Sequence, residues 1–333
     1  MMRKSDVGIE KSSYIKIGVV AVILIFLIVA GLVLLQRWED NRGKFPEHEV
    51  EGTEIEYQGK KYDLRENVET FLVLGLDKFE GEGMTDSYNN DKQADFLMLF
   101  VFDNEAKKCT AIQINRDTMV AVNVLGVAGN KVDTLTRQIA LAHTYGNGRD
   151  VSCRNTADSV SSLLKGVKIN HYMSVMMDAV PIFNDLVGGV EVEVLHDFTG
   201  IDDTLIKGQK VTLTGEQALT YVRTRSGLED STNTTRMERQ QQYIDALYQV
   251  TQARIAGDAD FVVDASLALS DYTVSDRSVT QLQALAEKFN QYEFLGIQSI
   301  AGESQKGEEY MEFYPDDDAL MELVIRLFYQ PQT

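Results

Sequence analysis

Arginine offers paired donors in a fixed plane, and this chain gathers it in one short stretch. Arg223 and Arg225 stand in YVRTR, and Arg236 and Gln240 follow in RMERQ. The sequence around them is acidic, with 51 Asp and Glu against 32 Lys and Arg and a formal net charge of -19 over 333 residues. Guanidinium groups clustered in such a chain either pair with nearby carboxylates such as Glu229, Asp230 and Glu238, or hold an anion. Phosphate oxygens match the guanidinium fork two at a time. Arg236 and Gln240 are four apart and share a helix face, bordered by Arg239. They lie in the first turns of that helix, where the positive end of its dipole favours an anion. Arg223 and Arg225 would point about 200° apart on a continuous helix, so they converge only if the helix ends there. The SGLED stretch that follows predicts that end.

Two further pieces carry charge at strand ends. QINRDTMV (113–120) sets Arg116-Asp117 just after an apolar strand, where ligands gather in α/β sheets. The pair is equally well read as a structural ion pair or turn cap. Asp77 closes FLVLGLD and Asp95 opens ADFLMLF. Taken singly, each is an ordinary turn former. Together, on the edges of neighbouring strands, they could share Mg²⁺ or Mn²⁺, which take one or two carboxylates and complete their shell from substrate phosphates. Arginines, a carboxylate pair and a hard cation point to phosphoryl or pyrophosphoryl chemistry, with a carboxylate taking the proton of an attacking hydroxyl. The chain has no GxSxG, HExxH or Walker loop. His143, His171 and His196 read as packing or surface residues. Cys109 and Cys153 exclude a cysteine-based zinc site and are read either as one disulfide or as two buried thiols. The acidity argues against nucleic acid as a partner.

Those side chains need elements to position them. Ile17 to Leu35 runs without a charge for about 28 Å as a helix, the thickness of a bilayer core. It is longer than a signal-peptide core and no cleavage signal follows, so it predicts an uncleaved transmembrane anchor. Lys and Arg lean slightly toward the short N-terminal tail, which places residues 1–16 in the cytoplasm and everything after residue 36 outside. Residues 36–67 read as a linker with a small hairpin (55–65). Residues 68–252 read as the catalytic-type domain, and 253–333 as its α/β completion. Strands are predicted at 71–76, 95–102, 109–114, 190–195, 293–300 and 309–314. Helices are predicted at 153–165, 178–187, 277–289 and from Asp316. Thr214 to Gln217 and Thr235 to Glu238 read as capping boxes opening two more, the second running to about Thr251. Interleaved strands and helices predict an α/β fold, an α/β/α-type sandwich on a mixed central sheet.

In this order the segments resemble the LytR–CpsA–Psr family of bacterial envelopes. The resemblance rests on FLVLGLD (71–77), ADFLMLFVFD (94–103), IQINRDTMV (112–120), IALAHTYGNG (139–148), INHYMSV (169–175), FNDLVGGVEVEV (183–194) and LTGEQALTYVRTR…RMERQQQYIDAL (213–247). It implies a membrane-anchored enzyme with its domain outside. Such an enzyme moves a glycopolymer from a polyprenyl-pyrophosphate carrier to peptidoglycan through a phosphodiester. By the resemblance, Asp77 and Asp95 are the magnesium-associated aspartates. Arg116, Arg223, Arg225, Arg236 and Gln240 bind pyrophosphate, and Asp117 belongs to the Arg116 motif. The lipid implies a long apolar tunnel, which VMMDAVPIF (175–183) could line, although core filling is the simpler reading of those residues. The chain departs from the family pattern at Leu76 (usually Ser) and Asn115 (usually Pro). It also departs at Gln138-Ile139-Ala140 (Lys-Ile-Asn) and at Asn233-Thr-Thr-Arg236 (Asp-x-Gly-Arg). These changes leave a second expectation open: a degenerate relative that binds polyprenyl-linked intermediates or scaffolds wall assembly. A transcription attenuator facing the cytoplasm has no helix-turn-helix or basic stripe to support it.

Overall fold

A tight hairpin opens the part of the chain described by the computed structural model, which covers residues 54–78, 90–224, 233–258, 260–308 and 310–332. The predicted anchor at 17–35, the start of the linker and Arg225 lie outside those residues. Among the described residues, no helix is long and apolar enough to cross a membrane. In the hairpin, β1 (Glu54–Tyr57) and β2 (Lys60–Leu64) turn through Gln58 and Gly59, both left-handed at φ 51° and 72°. That pair of positive angles matches the twist of the flanking strands.

Three long antiparallel strands follow: β3 (Val68–Lys78), β4 (Lys92–Asp103) and β5 (Lys108–Ile114). The hairpin β6 (Met119–Leu125) and β7 (Lys131–Gln138) leads to a 3₁₀ turn (Ile139–Thr144) and α1 (Asp150–Leu163). Next come β8 (His171–Met176), α2 (Ala179–Leu186), β9 (Val190–Glu193), β10 (Lys210–Leu213), α3 (Gly215–Arg223) and α4 (Asn233–Gly257). The chain closes with α5 (Phe261–Ala268), β11 (Thr273–Ser275), α6 (Val279–Phe289), β12 (Glu293–Ser299), β13 (Gly302–Lys306), β14 (Met311–Pro315), α7 (Asp317–Phe328) and β15 (Tyr329–Pro331).

The central sheet has the order β11-β8-β3-β4-β5-β12, with β3/β8 and β5/β12 parallel and the other pairs antiparallel. The protein is thus a mixed α/β fold on a mixed sheet. Apolar residues on both faces of the strands account for it, because such strands must be covered twice. Leu72, Leu74, Leu97, Leu99 and Ile112 pack with Val160 of α1 and Val324 of α7. On the opposite face, Val73, Phe96, Met98 and Ala111 meet Leu219 of α3 and Ile244 of α4.

The alternation breaks within β4, and this break lies at the site. Gly75 pairs with Phe96, but Leu76 pairs with Ala94, so Asp95 is an extra residue on β4. This β-bulge lets both Ala94 and Leu97 reach one core while Phe96 turns to the other, and it re-aims the residue between them. Gly75 makes room for it, because a Cβ there would lie 2.8 Å from that of Phe96.

Several sequence expectations change. The helix carrying Arg236 already runs at Asn233 and continues to Gly257, so Thr235 lies within its first turn instead of capping it. The box at Thr214 is formed, with Thr214 accepting from Gln217 N and the Gln217 side chain accepting from Thr214 N. The β6–β7 hairpin lies outside the predicted strands; β6 buries Val120 and Val122, whereas β7 is exposed at nearly every residue and shows no alternation. Cys109 and Cys153 are free thiols, fully buried, and burial pushes them up to about 12 and about 11.

His143 is also wholly buried, its Nδ1 on Lys92 O at 3.0 Å and its Nε2 3.7 Å from Cys153 Sγ. Desolvation lowers its pKa to about 4 from an ordinary 6.5. Between those values the unfolded chain takes up a proton that the folded chain refuses. This contribution to stability is therefore complete above about pH 6.5 and drains as pH falls toward 4, by on the order of 3 kcal/mol. Urea titrations across that range should show the loss, and His143→Asn should flatten it.

Candidate functional site

The bulge delivers Asp95 to the end of the sheet, and two arginines from distant segments close on it. Arg116 follows β5 and donates through Nη1 to Asp95 Oδ1 and through Nη2 to Gln93 Oε1, the latter at 2.6 Å. Arg236, in the first turn of α4, donates through Nη1 to Asp95 Oδ2 at 3.4 Å and through Nη2 to the Asp95 carbonyl at 3.2 Å. Both guanidinium groups are nearly closed off from water, with side-chain exposures of 9% and 3%. A buried arginine is costly unless acceptors meet its donors, and here Asp95 supplies both acceptors and a counter-charge.

Asp117 lies beside this set, with Oδ1 3.4 Å from Arg116 Nε and 3.0 Å from Gln138 Nε2. Asp77, two residues past Gly75 on β3, holds Arg223 in a two-point grip at 2.7 and 2.9 Å. Arg223 is the last residue of α3 and its side chain is 47% exposed, so it is the cation of this group most able to swing toward a ligand. Gln240 is buried between the sheet and α3, accepting from Gln113 Nε2 at 3.2 Å and donating to the Val222 carbonyl at 3.1 Å. The structure thus brings Asp77, Asp95, Arg116, Asp117, Arg223, Arg236 and Gln240 to one end of the sheet. Arg225 lies outside the described residues.

Arg239 matters more than its place in RMERQ indicates. It is completely buried, and its Nε donates to the Tyr221 carbonyl at 2.9 Å while Nη2 donates to that of Thr224. With Gln240 on Val222, α4 side chains take up the last carbonyls of α3, which a helix cannot satisfy itself. The guanidinium lies 5.6 Å from the centre of the Phe198 ring, and burial lowers its pKa from the usual value. The helix end that carries Arg223 is therefore held by side chains of the helix that carries Arg236. Spacing alone hides this, because Arg239 and its acceptors belong to different helices.

Asp77 and Asp95 stand on neighbouring strands and offer only oxygen. That donor set suits a hard divalent cation completed by phosphate oxygens. Among the described residues, no three His, Cys, Asp or Glu side chains gather as a metal cage. Arg116, Arg223 and Arg236 balance Asp77, Asp95 and Asp117, so an incoming pyrophosphate would bring excess negative charge that such a cation offsets.

An apolar cavity of about 680 Å³ begins behind this set, with Gln240, Val222 and Gly75 in its wall. It runs between the sheet and α4, α5 and α6, past Tyr243, Ala265 and Leu282. Val175, Met177, Val180 and Phe183 line it, so the 175–183 segment does not simply fill core.

Residues 41–324 match the model of the LytR_cpsA_psr family. The chain belongs to that family. The teichoic acid transferase TagU of Enterococcus faecalis, described as a polyisoprenyl-teichoic acid–peptidoglycan transferase, is 28% identical over 231 residues, 68% of each chain. A protein of the same description from Halalkalibacterium halodurans is 24% identical over 295 residues, 83% of this chain and 90% of its own length. The crystal structure of Bacillus subtilis TagV superposes with a TM-score of 0.60 at 23% identity, over 79% of this chain and 97% of that one. That likeness establishes the shared fold. The named sequence relatives are transferases.

Removing the α4 clamp should be costly. Arg239→Met leaves two buried carbonyls without donors and is expected to lose about 1–3 kcal/mol for each, read from the urea midpoint.

Proposed function

We propose that this protein is a phosphotransferase that moves a glycopolymer from a polyprenyl-pyrophosphate carrier to peptidoglycan, forming a phosphodiester. One observation carries the reading: an apolar cavity of about 680 Å³ reaches Gln240 and Val222, beside a cluster of arginines suited to pyrophosphate. The teichoic acid transferase relatives support the same substrate class. The prenyl chain lies along Val175, Met177, Phe183 and Ala265, and its pyrophosphate meets Arg116, Arg223, Arg225, Arg236 and Gln240. The predicted segment at 17–35 tethers the domain outside the membrane, beside its lipid substrate.

An acceptor hydroxyl of peptidoglycan attacks the phosphorus that bears the glycopolymer. The bridging P–O bond breaks and polyprenyl phosphate leaves, while the hydroxyl proton passes to Asp95 or Asp117. The arginines hold the non-bridging oxygens as charge builds, and the buried setting of Arg116 and Arg236 strengthens their contacts. Mg²⁺ or Mn²⁺ held by Asp77 and Asp95 would add charge stabilisation on the phosphates.

Purified protein should release polyprenyl phosphate from a short pyrophosphate-linked glycan when peptidoglycan fragments are present. Arg223→Ala and Arg236→Ala should each lower that rate about 10²- to 10³-fold. Folded protein that shows no turnover with any such carrier, with Mg²⁺ or Mn²⁺ supplied, would sink the reading. Chelation should abolish transfer, and either cation should restore it. Asp95→Asn and Asp117→Asn, compared separately, identify the proton acceptor as the one whose loss removes the acidic limb of the rate profile. Filling the cavity with Ala265→Phe should raise KM for the long-chain carrier and leave that for a truncated one nearly unchanged.

A further inference from the structure

Two asparagines 118 residues apart meet beside the arginines: Asn233 Nδ2 donates to Asn115 Oδ1 at 2.7 Å. Asn115 follows β5 and is 5% exposed, whereas Asn233 begins the described part of α4. Each amide makes a second contact that leads to a charged residue. Asn115 Oδ1 also accepts from the backbone N of Asp117 at 3.0 Å, and Asn233 Oδ1 accepts from Arg236 Nη2 at 2.6 Å. The Asn115 carbonyl accepts from Thr118 N at 3.0 Å and Thr118 Oγ1 at 2.6 Å, which closes the turn bearing Arg116 and Asp117. These contacts allow only one orientation of each amide. Turning over Asn115 would set its NH₂ against two donors, and turning over Asn233 would set its NH₂ against a guanidinium.

Among the described residues, the turn after β5 and the first turn of α4 also meet through Asp95, a carboxylate that both arginines share. A bound anion or cation draws on that carboxylate and on those arginines, so it cannot also keep their spacing fixed. A neutral amide link can, because it neither competes for the anion nor adds charge. We propose that Asn115 and Asn233 form a positioning bridge that holds Arg116 and Arg236 at the spacing to grip one pyrophosphate. This rests on the pyrophosphate reading above. Asn115 and Asn233 touch no reacting atom in this account and act through the arginines.

The test uses the purified chain with farnesyl pyrophosphate and with farnesol, each titrated by calorimetry. Asn115→Ala and Asn233→Ala should each weaken the pyrophosphate about five- to tenfold, and the double variant should lose no more than either alone. Farnesol, which fills the cavity without a head group, should bind all variants as it binds the unaltered chain. Asn233→Asp keeps an acceptor for Arg236 but gives Asn115 Oδ1 no hydrogen, so it should match Asn233→Ala at neutral pH. Should Asn115→Ala fail to fold, the two Asn233 variants decide alone. Single variants within twofold of the unaltered chain overturn the bridge, as do losses that multiply in the double variant or that farnesol shares. An unaltered chain that binds the pyrophosphate no better than farnesol instead overturns the pyrophosphate reading, and the bridge with it.

Discussion

The buried carboxylate of Asp95, shared between Arg116 and Arg236, is the interaction on which the rest of the site depends. Two guanidinium groups with exposures of 9% and 3% would be prohibitively costly in a protein interior without it. Its position follows from a single irregularity. The bulge in β4 inserts one residue opposite Gly75, and that residue is Asp95. A regular strand would have kept strict alternation and put the side chain on a different line. The bulge, the bare Gly75 and the crossing of Phe96 to the cavity side form one device, which both aims the carboxylate and opens the wall of the cavity.

From this centre the architecture reads as two supports facing each other. The sheet supplies Asp77, Asp95 and Arg116 from strands already fixed by the core. The helices supply Arg223, Arg236 and Gln240, and side chains of α4 hold the end of α3. Arg239 and Gln240 take the carbonyls of Tyr221, Val222 and Thr224, so α3 and α4 present their arginines as a unit. The Asn115–Asn233 contact joins the two supports with a neutral link. The cavity lies where they part. A lipid-linked anion placed there would touch the rigid sheet with its tail and span both supports with its charged head.

Much of this was legible in the chain. The segments carrying Asp77, Asp95, Arg116-Asp117 and the arginine pairs stand out by residue type, and the order of motifs points to the family. The major strands declare themselves through apolar runs, and the Thr214 box marks the start of α3. β7 does not declare itself, because a strand exposed on both faces has no periodic pattern to show. That α4 already runs at Asn233 was hidden because Thr235, Arg236, Met237 and Glu238 imitate a cap while lying inside the helix. The 175–183 segment has a composition that suits core and cavity alike, and only the placement of α4, α5 and α6 above the sheet leaves the space open.

The sequence by itself determined which charges exist, that guanidinium outnumbers its neighbours around residue 230, and that apolar strands must be covered on both faces. Those are properties of side-chain chemistry and of short-range periodicity, which neighbours along the chain express. The tertiary structure decided the pairings: Arg223 on Asp77, Arg116 and Arg236 together on Asp95, Arg239 on the end of α3, and Asn115 on Asn233. These partners lie between 15 and 146 residues apart. A hydrogen bond depends on direction and on a few tenths of an ångström, and those are set only when the sheet twists, the bulge turns one residue and the helices pack.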